Sequence, residues 1–252
     1  MHVYDSIIIG SGYSAVGYTI KNGNTITLEE SHTCDTQFYL PLKSFIHTEY
    51  KPVTPLGIRL DSHFNKYGLF KDGYMCTNGF EPAFCEFISK ESVDILLKCK
   101  VISVERLDDG IYKVTIFTAE GFSTVYAKNV FDSKGTKDHS KKYLTVLFVT
   151  ENGESDIKKL SAVFEGSTFT KAFYDTRYVM HLPLKDIIDV NEAISYIDDK
   201  WKTADTAAKV LYIPPVFCFT QEANESTFPK DQCFSNPIAA FEAGILFNGG
   251  EE

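Results

Sequence analysis

Two short stretches near the start of the chain, Tyr4-Asp-Ser-Ile-Ile-Ile-Gly-Ser-Gly12 and Thr25-Ile-Thr-Leu-Glu29, decide the fold. The first begins as an apolar, β-branched run, which is typical of a parallel strand covered on both faces. Residues 13–21 continue from it as a short helix, and residues 25–28 form a second strand. This order predicts a compact β-turn-α-β unit.

The residues of the turn have the pattern of a dinucleotide site. Gly10 allows a tight turn, and Gly12 lets the backbone approach a pyrophosphate closely. Ser14 lies in the first turn of the helix, whose N–H groups attract phosphate, and the small Ala15 lets the helix pack on the strand. Glu29, 19 residues after Gly10, is placed to accept hydrogen bonds from ribose hydroxyls. A turn of this pattern that binds no ligand is the alternative.

Strand patterns dominate the middle of the chain. Four β-rich segments occupy residues 93–97, 101–105, 111–117 and 124–127, and three strands of a meander fit them best. Residues 129–132 predict another strand that ends in Asp132 and is followed by Gly135.

The second half predicts a separate sheet with a helix lying on it. Strands are expected at residues 143–149, 161–165, 170–174, 178–182 and 210–217. An apolar stripe from Ile187 to Trp201, with Asp189 as a capping residue, predicts an amphipathic helix. Pro237 begins a final helix.

These segments predict an α/β protein with two parts. Residues 1–136 and 219–252 form a Rossmann-like βαβ domain with a β-meander. Residues 137–218 form a small α+β substrate domain with a mostly antiparallel sheet.

Composition excludes several functions. The chain of 252 residues has 25 Lys and Arg against 34 Asp and Glu, a net charge of −9 that disfavours nucleic acid as a partner. The six cysteines show no Cys-x-x-Cys motif and no zinc spacing, so no metal site is expected. No apolar run approaches the roughly 20 residues that cross a bilayer, and the start lacks a basic leader. We therefore expect a cytoplasmic protein without a membrane partner.

Three signatures together resemble the FAD-dependent oxidoreductases of the glutathione-reductase-like superfamily, especially the branch of hydroxylases and lycopene cyclases. They are the first βαβ unit through Glu29, the strand that ends at Asp132 and Gly135, and Lys230-Asp231 before the last helix. The resemblance implies FAD as the cofactor. It implies that Asp132 and Gly135 lie near the adenosine half and that Asp231 holds the ribityl chain.

The resemblance implies an oxidoreductase that acts on an unidentified small molecule by electron-pair or hydride transfer at the flavin. His181, on a predicted strand of the second sheet, is a candidate general base because histidine titrates near neutrality, and a structural histidine is the alternative. The competing class is a non-catalytic module that binds FAD or NAD in a structural or regulatory role. The fold does not identify the substrate.

Overall fold

The computed structural model describes residues 2–34, 38, 40–43, 50–71, 74–134, 141–174, 176–184, 189–220 and 227–249. The helices are α1 Tyr13–Asn22, α2 Pro55–Lys66, α3 Thr77–Ile88, α4 Glu154–Val163, α5 Val190–Thr203 and α6 Pro237–Leu246. The strands of the first half are β1 Val3–Ile9, β2 Thr25–Leu28, β3 Phe70–Lys71, β4 Tyr74–Met75, β5 Asp94–Leu96, β6 Lys100–Arg106, β7 Tyr112–Thr118 and β8 Gly121–Asp132. Those of the second half are β9 Lys141–Val149, β10 Thr168–Lys171, β11 Arg177–Pro183, β12 Lys209–Tyr212 and β13 Cys218–Thr220.

The first sheet has the order β5-β2-β1-β8-β7-β6 within the described residues. Its β5, β2, β1 and the end of β8 pair in parallel, whereas β6, β7 and the start of β8 form an antiparallel meander. The predicted βαβ unit and three-stranded meander are therefore confirmed.

Strand β8 corrects one sequence prediction. Residues 129–132 are not a separate strand but the end of β8, which pairs with β7 through Ala127 and with β1 from Tyr126 to Asp132. No turn residue separates its two halves, so one extended segment changes partner along its length. Residues 94–96 join the parallel part, as β5 beside β2.

The second sheet is antiparallel, with the order β10-β11-β9-β12 and β13 paired with β9. Helices α4 and α5 contribute to the apolar core on one of its faces, which includes Leu144, Phe148, Leu160, Met180 and Ile197. The predicted α/β fold class, with a separate mostly antiparallel sheet, is confirmed, and the two domain ranges stay a prediction.

Three local predictions in the chain are settled by the structure. The strand predicted at residues 161–165 is wrong, because those residues belong largely to α4, in which Asp156 and Leu160 are buried at helical spacing. The helix capped by Asp189 is confirmed, since its side chain accepts the N–H groups of Asn191 and Glu192. The helix beginning at Pro237 is confirmed too.

Helix α6 packs across α1 and joins the two ends of the chain in one core. This core contains Tyr13, Val16, Phe84, Ile238 and Phe241, all almost fully buried. The last segment of the chain is thereby held against the first βαβ unit.

Candidate functional site: the turn between the first strand and the first helix

The turn after β1 has the backbone geometry that its glycines predict. Gly10 has φ +100°, a conformation that favours glycine, and its N–H donates to the Leu28 carbonyl at 2.9 Å. A Cβ on Gly10 would lie 2.6 Å from the Oγ of Ser133, so the residue after β8 lies against the turn. Gly12, with φ −70° and ψ 179°, is the N-cap of α1.

The Asp231 carboxylate lies directly on this turn. Its Oδ2 accepts the Tyr13 N–H at 2.6 Å, and its Oδ1 accepts the Ser14 N–H at 2.9 Å and the Ser14 hydroxyl at 2.7 Å. A Cβ on Gly12 would stand 2.2 Å from Oδ2. The sequence pattern predicts that the first N–H groups of α1 bind phosphate. In the structure they donate to a carboxylate from the C-terminal part of the chain.

Asp231 is deeply enclosed, with 1% of its surface exposed. Burial raises the pKa of its carboxyl, although hydrogen bonds from Ser14 and Tyr13 and the charge of Lys43 act in the opposite direction. The role of Asp231 at the ribityl chain of a cofactor stays a prediction; in the structure its carboxylate contacts the turn itself.

Lys43 holds the short 3₁₀ turn formed by residues 231–233. Its ammonium donates to the carbonyls of Asp231 at 3.2 Å, Gln232 at 3.4 Å and Phe234 at 2.7 Å, and 1% of the residue is exposed. The preceding residue, Leu42, has φ +46°, which non-glycine residues rarely adopt. Sequence reasoning missed Lys43 because nothing in its neighbourhood marks it as different from a surface lysine.

Glu29 directly follows β2 and lies beside the same turn, as its spacing predicts. Its carboxylate accepts the Ser11 N–H at 2.8 Å, the Ser11 hydroxyl at 3.1 Å and the Ser31 N–H at 2.8 Å, and only 4% of the residue is exposed. Two buried acids therefore flank the turn, one at each of its ends.

The remaining residues predicted to bind a cofactor make no contact with Glu29 or Asp231 among the hydrogen bonds of the described residues. Ala15 is fully buried and packs in a cluster with Ile8. Asp132 is exposed, accepts the Lys134 N–H at 2.8 Å and lines an open cavity of about 910 Å³. Gly135 lies outside the described residues. In the described part of the chain, no group of three or more His, Cys, Asp or Glu could hold a metal ion.

His181 lies on β11, away from the turn. It is 9% exposed and lines a cavity of about 340 Å³ together with residues such as Tyr143 and Cys218. Its register partner Thr145 shares its face of the sheet and donates to the Pro41 carbonyl at 2.5 Å. This face of the second sheet therefore meets the segment that carries Lys43.

The turn has some features that match a bound dinucleotide and one contact that does not. The positive φ of Gly10, the bare Cα of Gly12 and the buried Glu29 match a dinucleotide turn. A pyrophosphate, however, does not fit at the N–H groups of Tyr13 and Ser14 while the Asp231 carboxylate accepts from both.

The fold of the chain is similar to that of several solved structures. The chain superposes on p-nitrophenol 4-monooxygenase PnpA from Pseudomonas putida DLL-E4 with a TM-score of 0.51 at 12% identity, over 86% of this chain and 67% of the other. A flavoprotein/dehydrogenase from Cytophaga hutchinsonii gives a TM-score of 0.52 at 11% identity over 96% and 76%. BexE, described in connection with oxidation during BE-7585A biosynthesis, gives 0.50 at 10% identity over 87% and 53%.

The chain thus spans between 53% and 76% of the length of these three proteins. No protein-family model and no curated protein sequence matches it. The resemblance to the FAD-dependent oxidoreductases is confirmed at the level of the fold. No helix among the described residues has the length and apolar character to span a membrane.

Proposed function

We propose that the chain is an FAD-binding oxidoreductase that acts on a small molecule. The observation that carries the proposal is the turn itself: β1 enters Gly10 at positive φ, Gly12 presents a bare Cα at the start of α1, and Glu29 is buried beside them. This combination of glycines, helix N-terminus and acid is typical of a dinucleotide-binding turn.

In this proposal Gly10, Gly12, Ser14 and Ala15 form the phosphate turn, and Glu29 accepts ribose hydroxyls. Asp132 and Gly135 serve the adenosine side, as the family resemblance implies. FAD is preferred to NAD because the signatures at Asp132 and Asp231 accompany the glycine turn. Bound flavin would supply electron-pair transfer, and the protein would supply binding and orientation.

The finer assignment to the hydroxylase and lycopene-cyclase branch belongs to the same proposal. The second sheet would then cover the substrate, and the cavity of about 340 Å³ beside His181 is large enough for a small ligand. His181 is the candidate base there, because it lines this cavity.

The test is a visible absorption spectrum of the protein purified from flavin-supplemented cells, followed by calorimetric titration of flavin-free protein with FAD and with NAD. We expect a flavin band that bleaches on reduction and a lower Kd for FAD. Tighter binding of NAD would contradict the cofactor assignment. A bound flavin that no reductant bleaches would favour the non-catalytic module.

A matched pair of variants locates the ribose contact. Glu29→Gln should raise the Kd for FAD about 10-fold or more, since a hydrogen bond to a charged group contributes about 1.5–3 kcal/mol. The neighbouring Glu30 is exposed and pairs with Lys100 at 3.5 Å and Lys134 at 3.8 Å. Glu30→Gln should leave the Kd within about twofold, because surface ion pairs contribute little. Equal effects of the two changes would argue against the assignment of Glu29.

A further inference from the structure

We infer that Asp231 is an internal ligand of the phosphate turn, so that a pyrophosphate binds only by displacing the Asp231 carboxylate from the start of α1. The inference rests on the proposed function, because it concerns the same turn. It assigns Asp231 a competing role, whereas the family resemblance implies a supporting one.

The first argument is that the carboxylate makes the contacts that an anion would make. Each of its oxygens accepts one N–H of the first helical turn, from Tyr13 at 2.6 Å and from Ser14 at 2.9 Å, and the Ser14 hydroxyl adds a third bond at 2.7 Å. A helix N-terminus favours an anion at this position through its dipole and its unpaired N–H groups. One anion already occupies these donors, so a second cannot use them.

The second argument is steric. A Cβ on Gly12 would lie 2.2 Å from Asp231 Oδ2 and 2.6 Å from Asp231 Cγ. The carboxylate therefore occupies the space above the bare Cα of Gly12, through which a pyrophosphate would approach the backbone.

The third argument concerns how the carboxylate is held in place. Lys43 donates to the carbonyls of Asp231, Gln232 and Phe234, and the Phe234 N–H closes the turn on the Asp231 carbonyl at 3.1 Å. Because Asp231 is fully enclosed, displacement of its carboxylate must move this turn, which Lys43 holds in place. Lys43 is thus a positioning residue for the Asp231 carboxylate, which competes with a pyrophosphate for the N–H groups of α1.

Ligands with and without a pyrophosphate should respond differently to a change at Asp231. Adenosine has no phosphate and does not need the N–H groups of α1, so its binding should not depend on Asp231. ADP carries the pyrophosphate and must compete. Removing the negative charge from Asp231 should therefore strengthen ADP binding and leave adenosine binding unchanged.

The experiment titrates the full, nucleotide-free chain with ADP and with adenosine by calorimetry. Asp231→Asn keeps the size of the side chain and removes its charge, and Lys43→Met keeps much of the length and releases the 3₁₀ turn. We expect Asp231→Asn to bind ADP about 10-fold or more tightly than the unmodified chain, with adenosine within about twofold. Lys43→Met should shift ADP in the same direction, and the exposed-acid control Glu30→Gln should not.

A second readout does not depend on the variants. ADP binding to the unmodified chain should increase the hydrogen exchange of the Cys233 and Phe234 amides, which close the 3₁₀ turn, because the turn moves. Unchanged exchange at these amides would contradict a displacement of the turn. If Asp231→Asn does not fold, ADP binding to Lys43→Met and this exchange measurement test the competing role of Asp231.

The outcomes distinguish the two proposals. If the unmodified chain binds ADP and FAD, and Asp231→Asn binds ADP equally well or more weakly, the competing role is overturned while the proposed function stands. Weaker FAD binding with unchanged ADP binding would instead support a ribityl contact. If neither ADP nor FAD binds to any variant, both proposals fail.

Discussion

Gly244 of α6 lies against the backbone of Ser14 in α1: a Cβ on Gly244 would stand 1.8 Å from the Ser14 carbonyl oxygen. The contact is reciprocal, since a Cβ on Gly17 would stand 2.3 Å from the Phe241 carbonyl oxygen. The two helices therefore cross with their backbones nearly touching. This crossing places the C-terminal segment, including Asp231, on the N-terminal turn.

Gly244→Ala should destabilise the protein by about 1–3 kcal/mol, because overpacking against a backbone atom forces the helices apart. The gain of up to about 1 kcal/mol in helix propensity is smaller than this loss. The free energy of unfolding in urea measures the effect. The exposed Leu246 on the same helix is the control, and Leu246→Ala should change stability by less than about 0.5 kcal/mol. Equal stability of Gly244→Ala and the unmodified chain would show that the helices do not cross so closely.

Gly12→Ala should act through Asp231 alone. With φ −70° and ψ 179°, the backbone at position 12 suits any residue, so the cost comes from the carboxylate that the new methyl group meets. We expect a loss of about 1–3 kcal/mol in the unmodified chain, the range for displaced buried hydrogen bonds. The same change in an Asp231→Ala background should cost much less. A double-mutant cycle in urea gives the coupling, and additive effects would contradict the contact.

Glu242 should make stability depend on pH. It is fully buried and accepts the Val53 N–H at 2.9 Å, the Thr54 N–H at 2.5 Å and the Tyr50 hydroxyl at 2.6 Å. Burial by itself would raise the pKa of Glu242, but the hydrogen bonds from these groups outweigh it, and the pKa lies below its ordinary 4.5. Its stabilising effect is therefore present above pH 4.5 and is lost as the pH falls through the lowered pKa.

Glu242→Gln should accordingly lower the free energy of unfolding by about 1–3 kcal/mol at neutral pH. The difference from the unmodified chain should narrow as the pH falls below 4.5. Urea denaturation at a series of pH values measures this, with the exposed Glu120→Gln as the control. A difference that widens on acidification would reverse the assigned sign.

Cys85 should be an unusually reactive thiol. A hydrogen bond from Cys34 is the main cause that lowers the pKa of Cys85. Burial and the neighbouring Glu81 carboxylate oppose it, and a hydrogen bond from Thr33 assists. Burial raises the pKa of Cys76 above its ordinary value. Because the thiolate is the nucleophile, alkylation of Cys85 should begin at a lower pH than alkylation of Cys76.

The measurement is iodoacetamide labelling across pH, followed by mass spectrometry of the cysteine peptides. Cys34→Ala removes the hydrogen-bond donor and should move the Cys85 midpoint upward toward its ordinary 9.0. A midpoint that does not respond to Cys34→Ala would show that the Cys34 contact is not the cause.

The sequence by itself determined the features that local rules control. Three such features depend on backbone periodicity and on groups a few residues apart: the β-branched run before Gly10, the acid after β2 and the capping residue Asp189.

Tertiary structure alone decided which distant groups meet. Strand β8 pairs first with β7 and then with β1 along its length. Helix α4 includes residues that the sequence pattern predicts as a strand, because sheet partners and burial outweigh a weak local preference. The Asp231 carboxylate comes to Tyr13 from 218 residues away. No pattern near either residue predicts that contact: it exists because the backbones of α1 and α6 touch, and that closure brings a buried acid onto the N–H groups where the sequence pattern predicts a phosphate.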